Sequence, residues 1–395
     1  MISVAEARAA ILSSAEPVAI ESVRLRDALG RTLREDLIAE RDQPPFRASA
    51  MDGYAVRASD TPGALRLIGE AGAGKALQVP LGSGECARIF TGAPLPTGAD
   101  AILIQEDAVR DQDIVTAPLI TSGQHVRGAG VDFRAGECVL TAGVGLDAVS
   151  IAIAATLGRA ALSVSRLPRV AVLGGGDELV TPGDTPLADQ IFDSMSFGVA
   201  ALVEQWGGEA STTLPMKDSA PLVARAIAAT LGTNDLTVII GGASVGDHDH
   251  ARPAIRDLGG ELLFEKVALR PGKPTWFARI GKNLVLGLPG NPASAMVCAR
   301  LFLRPLLDKL CGRDAGASTR TIAARTRTPI AANGARETYL RAAVESDESG
   351  QLWVKAAAQQ DSSLISVFAA APALVVRQPD ATETAAGALV DVLCP

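Results

Sequence analysis

Between Pro168 and Cys311 the chain alternates short, nearly all-apolar runs with longer stretches whose apolar residues recur at helical spacing. The runs 170–173, 236–240 and 284–286 contain almost no polar residue. A strand covered on one face alternates apolar with polar, whereas a strand covered on both faces does not, so these runs read as buried strands of a parallel sheet. Residues 196–206, 221–231 and 292–310 read as helices. Gly207-Gly208 and Gly232 end the first two, and Asn291-Pro292 supplies an N-cap and a first-turn proline for the third. Strand–helix alternation of this kind predicts a doubly wound α/β domain.

On either side of that region the period changes. Ser3 and Glu6 have capping-box spacing, which predicts a helix running to about Leu12. Residues 16–46 mix short strands with a polar helix near 27–37. Over 47–135, short β-like runs (64–68, 87–90, 101–105, 114–116) alternate with Gly/Pro turns, as in an all-β module. Helical spacing returns at 143 and stops at Gly158. Residues 312–319 are small and polar, a linker, and the runs 338–344, 352–356, 373–377 and 388–393 predict a small β-barrel or sandwich. The expected division is a segmented helical, linking domain (1–46 and 136–166), a β-rich insert (47–135), an α/β domain (167–312) and a C-terminal β-barrel (313–395).

Composition narrows the function classes. A chain of 395 residues fits two to four domains, and 48% apolar with 21% charged residues is the balance of a soluble globular protein. A net charge of −7 without a Lys/Arg block argues against general nucleic-acid binding. No apolar run reaches the ~18–20 residues of a membrane span, and the first residues lack the basic region of a signal peptide. The five cysteines are odd in number, with no C-x-x-C pair, so free thiols in a reducing compartment are expected, not a disulfide framework or a zinc site. These features predict a cytoplasmic protein with no membrane or nucleic-acid partner.

The candidate chemistry lies where the apolar runs end. The first breaks into Gly174-Gly175-Gly176 and then Asp177-Glu178. The second breaks into Gly241-Gly242-Ala243-Ser244-Val245-Gly246 and then Asp247-His248-Asp249-His250, and the third into Gly287-Leu288-Pro289-Gly290-Asn291-Pro292. All three turns fall at the carboxyl edge of the expected sheet, where open α/β sheets bind ligands. Glycine lets backbone N–H groups approach an anion. The neighbouring carboxylates would repel one unaided, so a phosphate-bearing or oxyanion ligand with a divalent cation is the coherent reading. The Asp-His-Asp-His run suits either a metal cluster on one face of an extended segment or a single functional acid among exposed histidines. Lys273, in Arg270-Pro271-Gly272-Lys273-Pro274, is a cation held in a rigid turn and suits a terminal phosphate.

In the insert, Asp52-Gly53 follows Pro44-Pro45-Phe46-Arg47-Ala48-Ser49-Ala50-Met51 and either projects one carboxylate or merely joins two modules. Thr91 either donates to an anion or caps its turn. Gly69 to Lys75 matches the first seven positions of a phosphate-binding P-loop, but Ala76 lacks the hydroxyl and no helix follows, so that reading is rejected. No G-x-S-x-G occurs and no cysteine has a supporting His/Asn context, which excludes serine-hydrolase and cysteine-protease readings.

Taken in order, PPFRASAMDGYA (44–55), GECARIFTGAPLPTGADAILIQE (84–106), GVDFRAGE (130–137), VAVLGGGDELV (170–180), DQIFDSMS (189–196), GGASVGDHD (241–249), ALRPGKP (268–274) and GLPGNPASA (287–295) resemble the MoeA/gephyrin E-domain family of molybdopterin molybdenumtransferases. The resemblance covers nearly the whole chain. It implies a multidomain α/β fold with a doubly wound, MogA-like molybdopterin-binding domain and a C-terminal β-barrel, assembled as a homodimer. The implied substrates are adenylylated molybdopterin and molybdate, the implied cofactor Mg²⁺ or a similar cation, and the product AMP. Functional acids are implied at Asp52, Asp132, Glu178, Asp218 and Asp249, with a threonine at Thr91. Glu178 and Asp249 would hold the metal. Gly175, Gly176, Asp177, Asp193, Ser194, Asp218, Gly241, Gly242, Ser244, Gly246, Lys273, Pro289, Gly290 and Asn291 would bind the cofactor moiety. A molybdopterin adenylyltransferase and molybdoenzyme maturation proteins are the partners so implied. The chain departs from the family pattern at Arg47-Ala48, Gly174-Gly175, Met195 and Ile239-Ile240, where polar residues are usual. A non-catalytic paralogue that binds molybdenum cofactor, molybdopterin or partner proteins therefore stands as the alternative.

Overall fold

The computed structural model describes residues 1–241 and 250–395. The chain forms two compact units. Met1–Glu35, Gly143–Asp147 and Ala161–Pro395 make one; Asp36–Ala142 and Ala148–Ala160 make the other.

The first unit is built on a six-stranded sheet in the order Glu209–Thr212, Arg169–Gly174, Leu236–Ile240, Asn283–Leu288, Trp276–Ile280, Glu261–Phe264. The first four strands pair in parallel, and the last two pairings of the sheet are antiparallel, so that Trp276–Ile280 alone runs against the others. The three strands read from apolar runs are adjacent, with Val172 paired to Val238 and Val238 to Leu286. Their glycine turns therefore leave the sheet side by side. Alternate residues of each strand enter different cores. Val170, Val172, Val238, Ile240 and Leu286 meet Val199 and Val203 of the Met195–Gln205 helix. Leu173, Ile239 and Val285 meet Val223 and Ile227 of the Ala220–Thr230 helix and Ile255 of the Ala251–Asp257 helix. Helices cover both faces, which is why period-2 alternation is missing from the sequence.

The N-terminal helix, Val4–Ser13, buries Val4, Ala7 and Ile11 in the first of these cores. Its capping box is complete: the Glu6 N–H donates to Ser3 Oγ at 3.1 Å and the Ser3 N–H to Glu6 Oε2 at 2.8 Å. The polar helix expected near 27–37 does not form. A single 3₁₀ turn, Leu25–Asp27, gives way to extended chain in which Thr32 bridges Gly145 and Leu33 bridges Val164. Gly30 in the left-handed region (φ +77°) turns the chain there, and long-range pairing satisfies the backbone instead of helical bonds. The helix expected over 292–310 is continuous but contains a π turn: Pro292–Cys298, Ala299–Leu303, Arg304–Leu310. Pro305 has no N–H to donate, and the wider turn accommodates the missing bond.

Five C-terminal strands close a barrel: Glu337–Ser346, Leu352–Ala356, Ile322–Thr326, Leu389–Leu393 and Ala373–Arg377, the last pairing back onto the first. Small side chains, among them Ala324, Ala342, Val354, Val375 and Val392, fill its interior, as a barrel this narrow requires. Tyr339, Leu374 and Leu393 join the α/β core, so barrel and sheet share packing.

The second unit carries a six-stranded sheet in the order Ala101–Ile104, Gly53–Val56, Glu85–Ile89, Gly63–Ala71, Ile114–Ala117, Val109–Asp111, with an apolar cluster on each face, and the Ala148–Thr156 helix. The P-loop look-alike is a tight turn in which Gly72 and Lys75 exchange N–H···O bonds of 2.9 Å, with no helix after it. Among the described residues no helix is long and apolar enough to cross a membrane.

Candidate functional site

A cleft of about 1070 Å³ opens in the first unit between the carboxyl ends of the parallel strands and the lip of the barrel. Gly175, Gly176, Glu178, Asp193, Ser194, Asp218, Gly241, Lys273, Pro289, Gly290 and Asn291 all line it. The chain brings these together from six separate segments, several of which the parallel sheet aligns at one edge.

The glycines act differently from expectation. The Gly175 N–H donates to Ile240 O (2.9 Å), the Gly176 N–H to Met216 O (3.1 Å) and the Gly241 N–H to Leu288 O (3.2 Å). These amides are committed to backbone carbonyls, so they stitch the strand ends together and are not free for an anion. What glycine supplies is proximity. A Cβ on Gly241, whose φ is +82°, would lie 2.5 Å from the Gly175 carbonyl oxygen, and one on Gly290 would lie 3.3 Å from Gly241 Cα. The turns pack backbone against backbone and form a smooth floor.

Charge comes from side chains. Glu178, Asp193 and Asp218 supply carboxylates to the cleft, and Lys273, Arg270 and Arg336 supply cations. Asp193 is buried and accepts the Ser196 N–H at 3.1 Å, at the start of the Met195–Gln205 helix. Lys273 sits in a closed loop: its carbonyl accepts the Val267 N–H at 3.1 Å, and Thr275 Oγ1 donates to Gly272 O at 2.7 Å. Gly272 is obligatory, because a Cβ there would lie 2.3 Å from the Cys298 sulfur. Asp177 is exposed and does not line the cleft. Its Oδ1 accepts the Asp218 N–H at 3.2 Å, so it holds the segment that presents Asp218.

The positions that depart from the family pattern divide in two. Ile240 and Met195 line the cleft beside Leu179, Ile191 and Phe192 and give it an apolar wall. Ile239 instead points into the apolar cluster with Leu173 and Trp276, so its loss of polarity does not touch the cleft. Gly174 makes room: a Cβ there would lie 2.5 Å from Ser196 Oγ and 2.8 Å from Asp193 Oδ2.

Sequence reasoning missed the barrel's contribution. Asn333, Arg336, Thr338, Gln360, Asp361, Ser362 and Ser363 form the opposite wall. The Asn333 amide donates to the carbonyls of Arg336 (2.9 Å), Arg377 (3.1 Å) and Gln378 (2.8 Å), and Thr338 Oγ1 donates to Asn333 Oδ1 at 2.8 Å. Asp361 accepts from Ser363 N–H (2.9 Å) and Oγ (2.6 Å), which holds its carboxyl below the usual range. The turn-forming Asn333-Gly334 and Asp361-Ser362-Ser363 are visible in the sequence. Their meeting with the glycine turns depends on how the barrel packs.

Asp52, Thr91 and Asp132 belong to the second unit. Asp52 Oδ1 accepts both the Thr91 N–H (2.7 Å) and the Thr91 hydroxyl (2.8 Å), and these bonds lower the Asp52 pKa, with Arg88 adding attraction. Thr91 thus serves the neighbouring carboxylate. The Arg88 guanidinium lies over the Tyr54 and Phe90 rings and donates to Gln105 Oε1 at 2.7 Å. Asp132 is exposed, and its N–H donates to Gln43 O at 3.0 Å. Gly242, Ser244, Gly246 and Asp249 lie outside the described residues, as does most of the Asp-His-Asp-His run. Among the described residues no group of three His, Cys, Asp or Glu side chains could hold a metal.

Three family models match collinearly. Residues 2–158 match the MoeA N-terminal region (domain I and II), 171–309 a probable molybdopterin binding domain, and 323–394 the MoeA C-terminal region (domain IV). A molybdopterin molybdenumtransferase of Haemophilus influenzae is 33% identical over 397 residues, covering 99% of this chain and 98% of that protein. One from a Nostoc species is 35% identical over 333 residues, covering 81% and 76%. The crystal structure of a molybdopterin biosynthesis MoeA protein from Pyrococcus horikoshii superposes with a TM-score of 0.85 at 26% identity, covering 99% of both chains.

Proposed function

The chain belongs to the MoeA family, and from that premise we propose that it is a molybdopterin molybdenumtransferase, inserting molybdate into adenylylated molybdopterin with release of AMP. The observation that carries this reading is the cleft itself: carboxylates beside the glycine turns at the strand ends, an apolar wall beside them and a basic, hydroxyl-rich wall opposite. An adenylylated pterin needs all three, since it joins a flat heteroaromatic ring to a charged phosphoanhydride. Ile191, Phe192 and Met195 offer surface to the ring. Lys273, Arg270 and Arg336 offer cations to phosphate and oxyanion charge, where Arg presents a fork and Lys a point charge.

Mg²⁺ or a similar cation belongs to the proposal. A Mg²⁺ site normally combines one or two carboxylates with water and substrate phosphate, and the Glu178 carboxylate in the cleft is a hard oxygen donor of the kind that suits it. Glu178 would hold it, and when bound it would polarise the phosphoanhydride as a Lewis acid. The chain's own cations neutralise charge on the departing AMP phosphate, and the packed glycine floor keeps bulk out of the reacting region. A homodimer is also part of the proposal.

The test is molybdate-dependent AMP release from adenylylated molybdopterin, with and without Mg²⁺, on wild type and Glu178→Gln. Metal-dependent release that disappears in the variant supports the transferase. No release from a folded wild-type protein sinks it and leaves the binding paralogue.

A further inference from the structure

Arg341 lies inside the first unit on the Glu337–Ser346 strand and is only 1% exposed. Burying a guanidinium is costly unless its donors are satisfied, and here they are satisfied by one loop. Nη1 donates to Leu364 O at 2.7 Å, and Nη2 donates to Asp361 O at 2.8 Å. The Gln360 side chain completes the clamp: its Oε1 accepts the Arg341 backbone N–H at 3.0 Å, and its Nε2 donates to Arg341 O at 2.9 Å. The clamped loop is the one that presents Asp361, Ser362 and Ser363 to the cleft. On its far side, Ser362 accepts the Asn291 side-chain amide at 2.8 Å on Oγ and the Ala293 N–H at 2.9 Å on its carbonyl. The loop is thus pinned from behind by Arg341 and from the front by the third glycine turn.

We infer that Arg341 is a positioning residue for the transferase reaction, acting through the 359–364 loop to set the Ser362 and Ser363 hydroxyls in the cleft. It rests on the transferase reading for its kinetic arm but not for its structural arm. An arginine used only to fill the barrel would need no loop carbonyls. The Asp361 and Leu364 carbonyls, three residues apart on one loop, are reached by the two separate arms of a planar guanidinium fork, which the single nitrogen of an ammonium does not reproduce.

The experiment compares wild type, Arg341→Met, Arg341→Lys, Ser362→Ala and the Arg341→Met/Ser362→Ala double variant. Amide hydrogen exchange of residues 357–366 and steady-state kinetics for both substrates are measured on each, with thermal melts as the fold control. In Arg341→Met, exchange across the loop is expected to quicken at least tenfold, and KM for one or both substrates to rise about tenfold, with the rest of the barrel still protected. Arg341→Lys should fall between wild type and Met. The double variant should be no worse in KM than the poorer single variant, because both changes disable the same loop. Additive KM effects, or a lower Tm with unchanged KM and unchanged loop exchange, overturn the inference. If no variant, wild type included, releases AMP, the transferase reading fails, and normal loop exchange in Arg341→Met still decides against Arg341. Should Arg341→Met fail to fold, Gln360→Leu, which removes only the amide clamp, carries the same exchange and KM expectations.

Discussion

The side-chain amide of Asn291 donates to Ser362 Oγ at 2.8 Å, although Asn291 occupies the N-cap of the Pro292–Cys298 helix and makes no capping bond to it. An asparagine at that place usually bonds the free N–H groups of its own helix. Here the Ala293 N–H is taken by Ser362 O at 2.9 Å, so the barrel loop caps the helix and Asn291 binds the loop in return. Asn291→Ala is therefore expected to loosen the cleft wall more than the helix. Stability measured by urea titration should fall by about 0.5–1.5 kcal/mol, the usual worth of one hydrogen bond. Helical content by circular dichroism should not change.

Two glycines with similar backbone angles separate close packing from conformational freedom. Gly158 (φ +76°) has open space where a Cβ would go, and Gly241 (φ +82°) has the Gly175 carbonyl oxygen 2.5 Å away. Gly158→Ala should cost about 1–2 kcal/mol, the left-handed penalty alone. Gly241→Ala should cost more than about 3 kcal/mol, because backbone must shift as well. Equal costs in denaturant titration would refute the packed-floor account.

The Thr91 bonds depress the Asp52 pKa, and the sign of the consequence is fixed. A carboxyl whose folded pKa is lowered contributes stability above its unfolded value, about 3.9, and loses it as pH falls through the folded value. Thr91→Val keeps the N–H donor and removes the hydroxyl. The carboxyl carbon resonance of Asp52, followed by NMR titration, should then move its midpoint upward toward the unfolded value. An unchanged midpoint would show that the hydroxyl bond is not formed in solution.

Thiol reactivity should separate the cysteines by burial. Burial pushes the Cys298 thiol up to about 12 and the Cys86 thiol up to about 11, whereas Cys138 is exposed. Thiolate is the reactive form. Iodoacetamide at pH 8 should label Cys138 in minutes and leave Cys298 and Cys86 unmodified until denaturant is added, as read by peptide mass spectrometry.

Phe192 is 46% exposed and lines the cleft. If its ring meets the pterin, Phe192→Ala should raise KM for adenylylated molybdopterin several-fold and leave KM for molybdate unchanged. Stability should stay within about 0.5 kcal/mol, as for other surface changes. Equal effects on both substrates would place the ring elsewhere.

The sequence by itself determined the local elements whose signals are local. The Ser3–Glu6 capping box, the doubly buried runs ending at Gly174, Ile240 and Leu288, and the strands Leu352–Ala356 and Ala373–Arg377 follow from spacing and burial period alone. Collinear motifs carried the family, and with it Glu178, Asp193, Asp218 and Lys273 in the cleft. Tertiary structure decided the rest. It turned residues near 27–37 into paired extended chain, because bridges to Gly145 and Val164 satisfied the backbone at long range. It committed the glycine amides to neighbouring carbonyls, because three strand ends lie side by side. It sent Ile239 into one core and Ile240 into the other, where Ile240 also borders the cleft, since adjacent strand residues face opposite ways. It also brought Arg336, Ser362 and the loop behind Arg341 to face those turns. Side-chain type is written along the chain. Which backbone group each residue meets depends on contacts between segments tens of residues apart, and no local pattern encodes that meeting.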